Sequence, residues 1–289
     1  MPLLLEFFGM TVAVLAQLDL PELAFLFGSH LVEEGEPQLL VKLVSDGSAS
    51  GEVLVQRPDG MLLQRRLFRG WSTMPPPVPP LAVLDSRFLV VRAVVMARDD
   101  VTVALIGSAC SPCADVAAAL AGRSWRPVAG QFLVVDRDTG HTLPFHTPLD
   151  LRGAAIESAV TGGLVGPEPE SPWWRTRSTL SGESLLVRPE RLGPPVPIAA
   201  RLAPPTLVRL CQGEDDRCAL ESWEFQPHAW PPAAAELAEA RRYRLLVPEL
   251  GGAEEAAALI DDELKETSCP GGPRTAPEHR AGLITSPSM

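Results

Sequence analysis

The chain has 289 residues, enough to bury a sizeable core in one large domain or two of ordinary size. Hydrophobic residues make up 46% and charged residues 21%, which excludes wholesale disorder, and a formal charge of −11 argues against nonspecific binding to a phosphate backbone. Thirty prolines exclude long helices over most of the length and favour short strands with irregular connections.

The basic residues are nearly all arginine, with Lys42 and Lys265 the only lysines, and asparagine is absent. This bias points to a very GC-rich genome, bacterial or of a large DNA virus. Without asparagine there is no acceptor for N-glycosylation. An acidic surface suits docking onto a basic partner protein.

Residues 1–18 are apolar, but Glu6 interrupts the run and Lys42 is the first basic residue, so neither a secretory leader nor a membrane span is expected. A buried N-terminal helix or strand pair is. The expected compartment is the cytoplasm, or the nucleus for a viral or eukaryotic chain, where cysteines stay reduced. Five cysteines, an odd number, cannot form a complete internal disulfide set.

Apolar positions between Leu20 and Glu34 predict a short amphipathic helix. Gln38–Val44, Gly51–Gln56 and Met61–Phe68 predict a three-stranded meander, with Asp59-Gly60 supplying the hairpin turn. Residues 75–80 form a Pro-rich linker with a PxxP from Pro76 to Pro79. Arg87–Met96 predicts one strand and Val101–Ile106 another; an alanine-rich helix follows Cys113. Residues 130–145 then predict a hairpin. Its order of Gly, strand, charged turn and strand matches that of residues 51–63, which suggests two similar small units.

Residues 160–178 are a Gly/Pro-rich connection. Beyond it lie strand candidates Ser184–Arg188, Pro197–Leu202 and Thr206–Cys211, then helices over Ala233–Leu246 and Ala253–Lys265. The expected division is an N-terminal α+β unit over 1–74, the linker, a second α+β unit over 81–165, a C-terminal region of strands and two helices over 166–265, and a disordered tail over 266–289. The predicted class is α+β: strand-rich antiparallel meanders with short helices.

The chemistry-bearing candidates begin with Cys110-Ser-Pro-Cys113 at a strand-to-helix junction. A helix N-terminus lowers a thiol pKa, so the pair fits a thioredoxin-like oxidoreductase; two packed cysteines are the plainer reading. Joined to His141 and His146, the same pair has the local spacings of a zinc-stabilised module, although the 27-residue gap is long. Cys211 and Cys218 are less typical substitutes for the histidines. A zinc deaminase is excluded, because Val116 stands where its second cysteine belongs and no histidine is followed two residues later by Glu.

Asp136 and Asp138 predict a solvated turn, and His228, flanked by Trp223, Phe225 and Trp230, a packing residue. Trp173-Trp174-Arg175 is the candidate partner-binding patch, since aromatic residues and arginine serve as interface anchors. G-x-G-x-x-G, P-loop, G-x-S-x-G and H-E-x-x-H motifs are all absent.

Val103-Ala-Leu-Ile-Gly-Ser, with Gly130-Gln-Phe-Leu-Val-Val-Asp-Arg-Asp-Thr-Gly140-His-Thr-Leu, resembles the central strands of the SUKH superfamily of bacterial immunity proteins and related herpesvirus proteins. The resemblance covers residues 101–145 and implies an α+β interaction protein without catalytic residues. The leading expectation is a non-enzymatic protein-interaction module needing no cofactor, with the thiol oxidoreductase and zinc readings as alternatives.

Overall fold

The computed structural model describes residues 2–16, 20–45, 50–69, 87–107, 112–152, 156, 175–178, 182–213, 217–223, 237, 240–248 and 252–268. Leu3–Phe7 (β1) and Met10–Ala16 (β2) form an antiparallel hairpin, so the apolar N-terminus resolves as a strand pair. The turn residues Phe8 and Gly9 take φ of 54° and 86°, the type I′ signature of a two-residue hairpin loop. Leu5, Phe7, Val12 and Val14 are fully buried.

Leu20–Phe27 (α1) and a 3-10 turn over Gly28–His30 carry the chain across to Leu39–Ser45 (β3), which runs parallel to β2. Parallel neighbours need such a crossover. The helix is shorter than expected because the chain turns extended at Leu31, ahead of the acidic residues near Glu34. Ser50–Gln56 (β4) and Leu62–Arg69 (β5) complete the predicted meander, giving the order β1-β2-β3-β4-β5 with a register shift between Val55 and Gln56.

The single strand expected over Arg87–Met96 is two. Phe88–Arg92 (β6) and Val94–Arg98 (β7) are separated at Ala93, whose N–H donates to the Gln131 carbonyl at 3.0 Å. Apart from their terminal arginines Arg92 and Arg98 both halves are apolar and mostly buried, so they read from sequence as one run although the chain leaves one sheet for another at Ala93. β7 pairs on one side with Val101–Ile106 (β8) and on the other with Arg126–Ala129 (β9). β6 pairs with Phe132–Asp136 (β10), which also pairs with Thr142–Leu143 (β11).

A third small sheet contains Leu149–Arg152 (β12), Arg175–Ser178 (β13) and Gly182–Val187 (β14) in the order β12-β14-β13. The largest sheet adds Thr206–Gln212 (β15), Ala219–Ser222 (β16) and Arg242–Val247 (β17), in the order β16-β17-β15-β8-β7-β9. Its β8, β15 and β17 are parallel, and the outer strands run antiparallel to their neighbours. Cys113–Ala121 (α2) packs on β7 and β8 and beside Ala253–Ser268 (α3), which also packs on β16 and β17.

The protein is thus a strand-rich α+β fold with mixed and antiparallel sheets, as the sequence predicts. Four local expectations change. The helix predicted over Ala233–Leu246 gives way at Arg242 to β17, whose Arg-Tyr-Arg-Leu-Leu-Val alternation fits the parallel register beside β15; residues 233–236, 238 and 239 lie outside the described residues. Pro197–Leu202 contributes only an isolated bridge from Leu202 to Thr142. The final helix continues past Lys265 to Ser268, and the rest of the tail lies outside the described residues, as does the Pro-rich linker.

The repeat-like hairpins, finally, are placed differently. β3 pairs directly with β4–β5, whereas β8 and the β10–β11 pair sit in separate sheets.

One continuous apolar core runs from β1 to α3. At Gly130 a side chain has no room, since a Cβ there would stand 2.2 Å from the Thr147 carbonyl oxygen and 2.5 Å from that of Pro148. This close backbone approach seats the start of β10 against residues 147–148.

Candidate functional site

Strand alternation gives the first sheet two unlike faces. On one, Val12, Val14, Val41, Leu43, Val53 and Val55 are buried. On the other, the register aligns Leu15, Lys42, Leu54 and Arg65 in one row and Val44, Glu52 and Leu67 in the next. Leu67 is 73% exposed and Val44 51%. Leu62, opposite Gln56, and Met61 extend the patch toward the β4–β5 turn, and Arg65 crosses it to bond Glu52 at 2.5 Å.

The large apolar side chains exposed among the described residues are Leu15, Leu31, Val44, Met61, Leu62, Leu63 and Leu67, so every one lies in the N-terminal 67 positions. Single exposed apolar residues are ordinary, whereas Leu15, Val44, Leu62 and Leu67 share one face of the sheet. Among the described residues β5 is also an outer strand, with β4 its single neighbour. Beside its start lies a groove of about 550 Å³ with Met10, Leu39, Pro58 and Leu63 in its walls and Arg57 and Asp59 among its polar groups.

The residues singled out from sequence are scattered. Cys113 opens α2 half-buried, after Pro112, while Cys110 lies outside the described residues. Val116 and Leu120 anchor that helix in the core. Asp115, in the same first turn, has its carboxyl pushed up to about 6 by burial. His141 sits half-buried in the β10–β11 turn and His146 is buried at the seam with the first sheet.

Among the described residues no three His, Cys, Asp or Glu side chains gather into a metal-holding group, so Cys113, His141 and His146 form none. Trp173 and Trp174 lie outside the described residues; Arg175 opens β13. Cys113, Cys211 and Cys218 are free thiols, and Cys218 bonds the Gly252 carbonyl at 3.2 Å. Burial, then the Glu255 carboxylate, pushes the Cys218 thiol up to about 11, which makes it a poor nucleophile.

Three buried polar groups, two of them unmarked by any sequence motif, hold the fold together. His30 ends the 3-10 turn with its Nδ1 3.0 Å from the Glu6 carbonyl, while its Nε2 accepts the His146 backbone N–H at 3.1 Å. Accepting at Nε2 requires a neutral ring with the proton on Nδ1. Burial outweighs the Glu6 bond and lowers the His30 pKa to about 4. Phe7 and Phe145 pack against this ring at 4.9 and 5.3 Å. Burial also lowers the His146 pKa.

Arg188 reinforces the seam by donating to the Ala24 and Phe25 carbonyls and stacking on the Phe25 ring at 4.8 Å. Asp261 on α3 receives Arg98, Lys265 and the Trp125 indole N–H, the last at 2.8 Å. Burial alone would raise its carboxyl, but these three bonds outweigh it and hold it below the ordinary range. Asp136, read from sequence as part of a solvated turn, is instead buried. It accepts Arg87 and the N–H groups of Asp138 and Thr139, and so orders the β10–β11 turn.

A cleft of about 590 Å³ opens where β8 and β15 begin. Two of its basic residues, Arg98 and Lys265, are already engaged by Asp261, and Asp99 and Asp100 oppose the remaining Arg241. No helix among the described residues is long and apolar enough to cross a membrane.

No protein-family model and no curated protein matches the chain. Among solved structures, the HPr(Ser) kinase/phosphatase from Coxiella burnetii aligns with 62% of this chain and 99% of its own at 10% identity, with a TM-score of 0.33.

Proposed function

We propose that the chain is a non-enzymatic protein-binding module acting inside the cell, with the outer face of its first sheet and the β5 edge, which has a single neighbour among the described residues, as the recognition surface. The supporting observation is the confinement of all exposed large apolar side chains among the described residues to the N-terminal 67 positions. Fixing those side chains in water is unfavourable unless a partner covers them. The buried Asp136 and Asp261 clusters serve packing instead: both carboxylates are engaged by internal hydrogen bonds. An interaction role also accords with the resemblance of residues 101–145 to the SUKH superfamily.

The test is affinity capture from cells of the source organism with three immobilised proteins: wild type, Val44→Glu with Leu67→Glu, and Cys113→Ser. The expected result is a discrete set of proteins retained by wild type and Cys113→Ser and lost from the double variant. Capture unchanged by the double variant would overturn the reading. So would disulfide-exchange activity that disappears with Cys113→Ser, because the protein would then be a thiol enzyme.

A further inference from the structure

We infer that the occupant of the β5 edge is an extended, acidic segment of a different polypeptide, which adds to the first sheet as a sixth strand. This rests on the protein-binding reading and specifies the partner's chemistry. Among the described residues β5 has β4 as its single neighbour, and a strand edge of this kind is a template for another strand, with backbone bonds supplying affinity and alternate side chains supplying selectivity.

Charge decides what kind of strand fits. The protein carries −11 overall, yet β5, Leu-Leu-Gln-Arg-Arg-Leu-Phe-Arg, has three arginines and no acidic residue. Arg65 is paired with Glu52 across the face but remains 63% exposed at its side chain, and Arg66 is exposed. Leu62 and Leu67 flank them.

A second copy of this chain fits poorly. Arg65 and Arg66 lie at the centre of β5, so antiparallel pairing of two β5 strands about a two-fold axis would set arginine opposite arginine. Arg66 pairs in register with Val53 and so faces away from Arg65 and Leu67. An incoming strand alternating apolar and acidic residues would set carboxylates beside Arg66 on one face and cover Leu67 on the other, where Arg65 is already answered by Glu52.

The probe is a synthetic capped peptide of about eight residues, one strand length, alternating valine and glutamate, compared with its valine–lysine counterpart. Titration at low ionic strength should show the glutamate peptide binding about tenfold or more tighter, as expected when like charges are juxtaposed in the lysine complex. Amide signals of Gln64–Leu67 should shift on binding. Arg65→Glu with Arg66→Glu should reverse the preference, and Arg65→Gln with Arg66→Gln, a milder change that keeps the strand polar, should abolish it.

Equal binding of the two peptides, or binding of neither, overturns the inference. Binding of phosphatidylserine vesicles that is lost with Arg65→Gln and Arg66→Gln, without peptide binding, overturns it in favour of a membrane surface. Capture of cellular proteins that depends on Val44 and Leu67 but not on Arg65 and Arg66 leaves the protein-binding reading standing and removes only this inference.

Discussion

The first sheet and the six-stranded sheet use similar strands to opposite ends. In the larger sheet, α2 and α3 pack over the strands, and Asp261 ties α3 to β7 through Arg98 and to the chain after α2 through Trp125. In the first sheet one face is buried, while the other carries exposed leucines and a valine beside an edge strand with one neighbour among the described residues. A sheet covered by helices that are tied down by buried ion pairs is a stability device; a half-bare sheet on the same core is the one we propose as the contact surface. The difference separates where substitutions should damage folding from where they should damage binding.

Asp261→Ala is the strongest test on the covered side. It strands the Arg98 guanidinium and the Trp125 N–H without their acceptor, and removing one partner of a buried ion pair should cost about 4 kcal/mol, read by urea unfolding. A loss below about 1 kcal/mol would show that the cluster is solvated and that the contrast between the sheets is weaker than drawn.

The seam between the two regions should announce itself by pH. Burial lowers the His30 pKa to about 4 from the ordinary 6.5, so the unfolded chain binds the proton more readily in that interval. Stability therefore holds above about pH 6.5 and falls as pH drops toward 4, by roughly 3 kcal/mol for a shift of this size. His146 acts in the same direction. Asp115 acts oppositely, because its raised pKa makes the folded state the better proton binder between about 4 and 6. The difference between wild type and His30→Gln across this window isolates the His30 contribution, and parallel curves for the two would refute it.

Gly130→Ala should cost about 2 kcal/mol by forcing a methyl group against two backbone carbonyls, measured by thermal unfolding. The smallest effect on folding belongs to the open face: Val44→Glu with Leu67→Glu should change stability by under about 0.5 kcal/mol while removing binding. A large loss of stability from that pair would mean that the exposed face is packed by other parts of the chain, and the comparison would collapse.

The meander of β3, β4 and β5 was legible because its alternation and its Asp59-Gly60 turn are local signals. Local signals failed where tertiary pairing decided. Arg242–Val247 follows an alanine-rich run and extends a helical reading, yet its strand partner β15 lies some thirty residues upstream. The exposed face was itself implicit in Leu15, Val44, Leu54 and Leu67, but which face of an amphipathic strand meets the core cannot be read without the sheet.

His30 offered no warning at all, being a lone histidine at the end of an apolar helix whose partners Glu6 and His146 are brought to it by folding. The cysteine pair drew attention because its motif is compact. The structure places Cys113 on a helix packed by alanines and Val116, and gathers no metal ligands around it among the described residues.

The division of one apolar run into β6 and β7 at Ala93 has a mechanical consequence. A continuous stretch of backbone serves as a rail clamped into two sheets, so neither sheet can open along that rail without transmitting tension through a single peptide to the other. Amide exchange at Val90 and Val91 should therefore share its opening free energy with that at Val95 and Met96, making the centre of the molecule one cooperative unit on which the exposed N-terminal face is mounted.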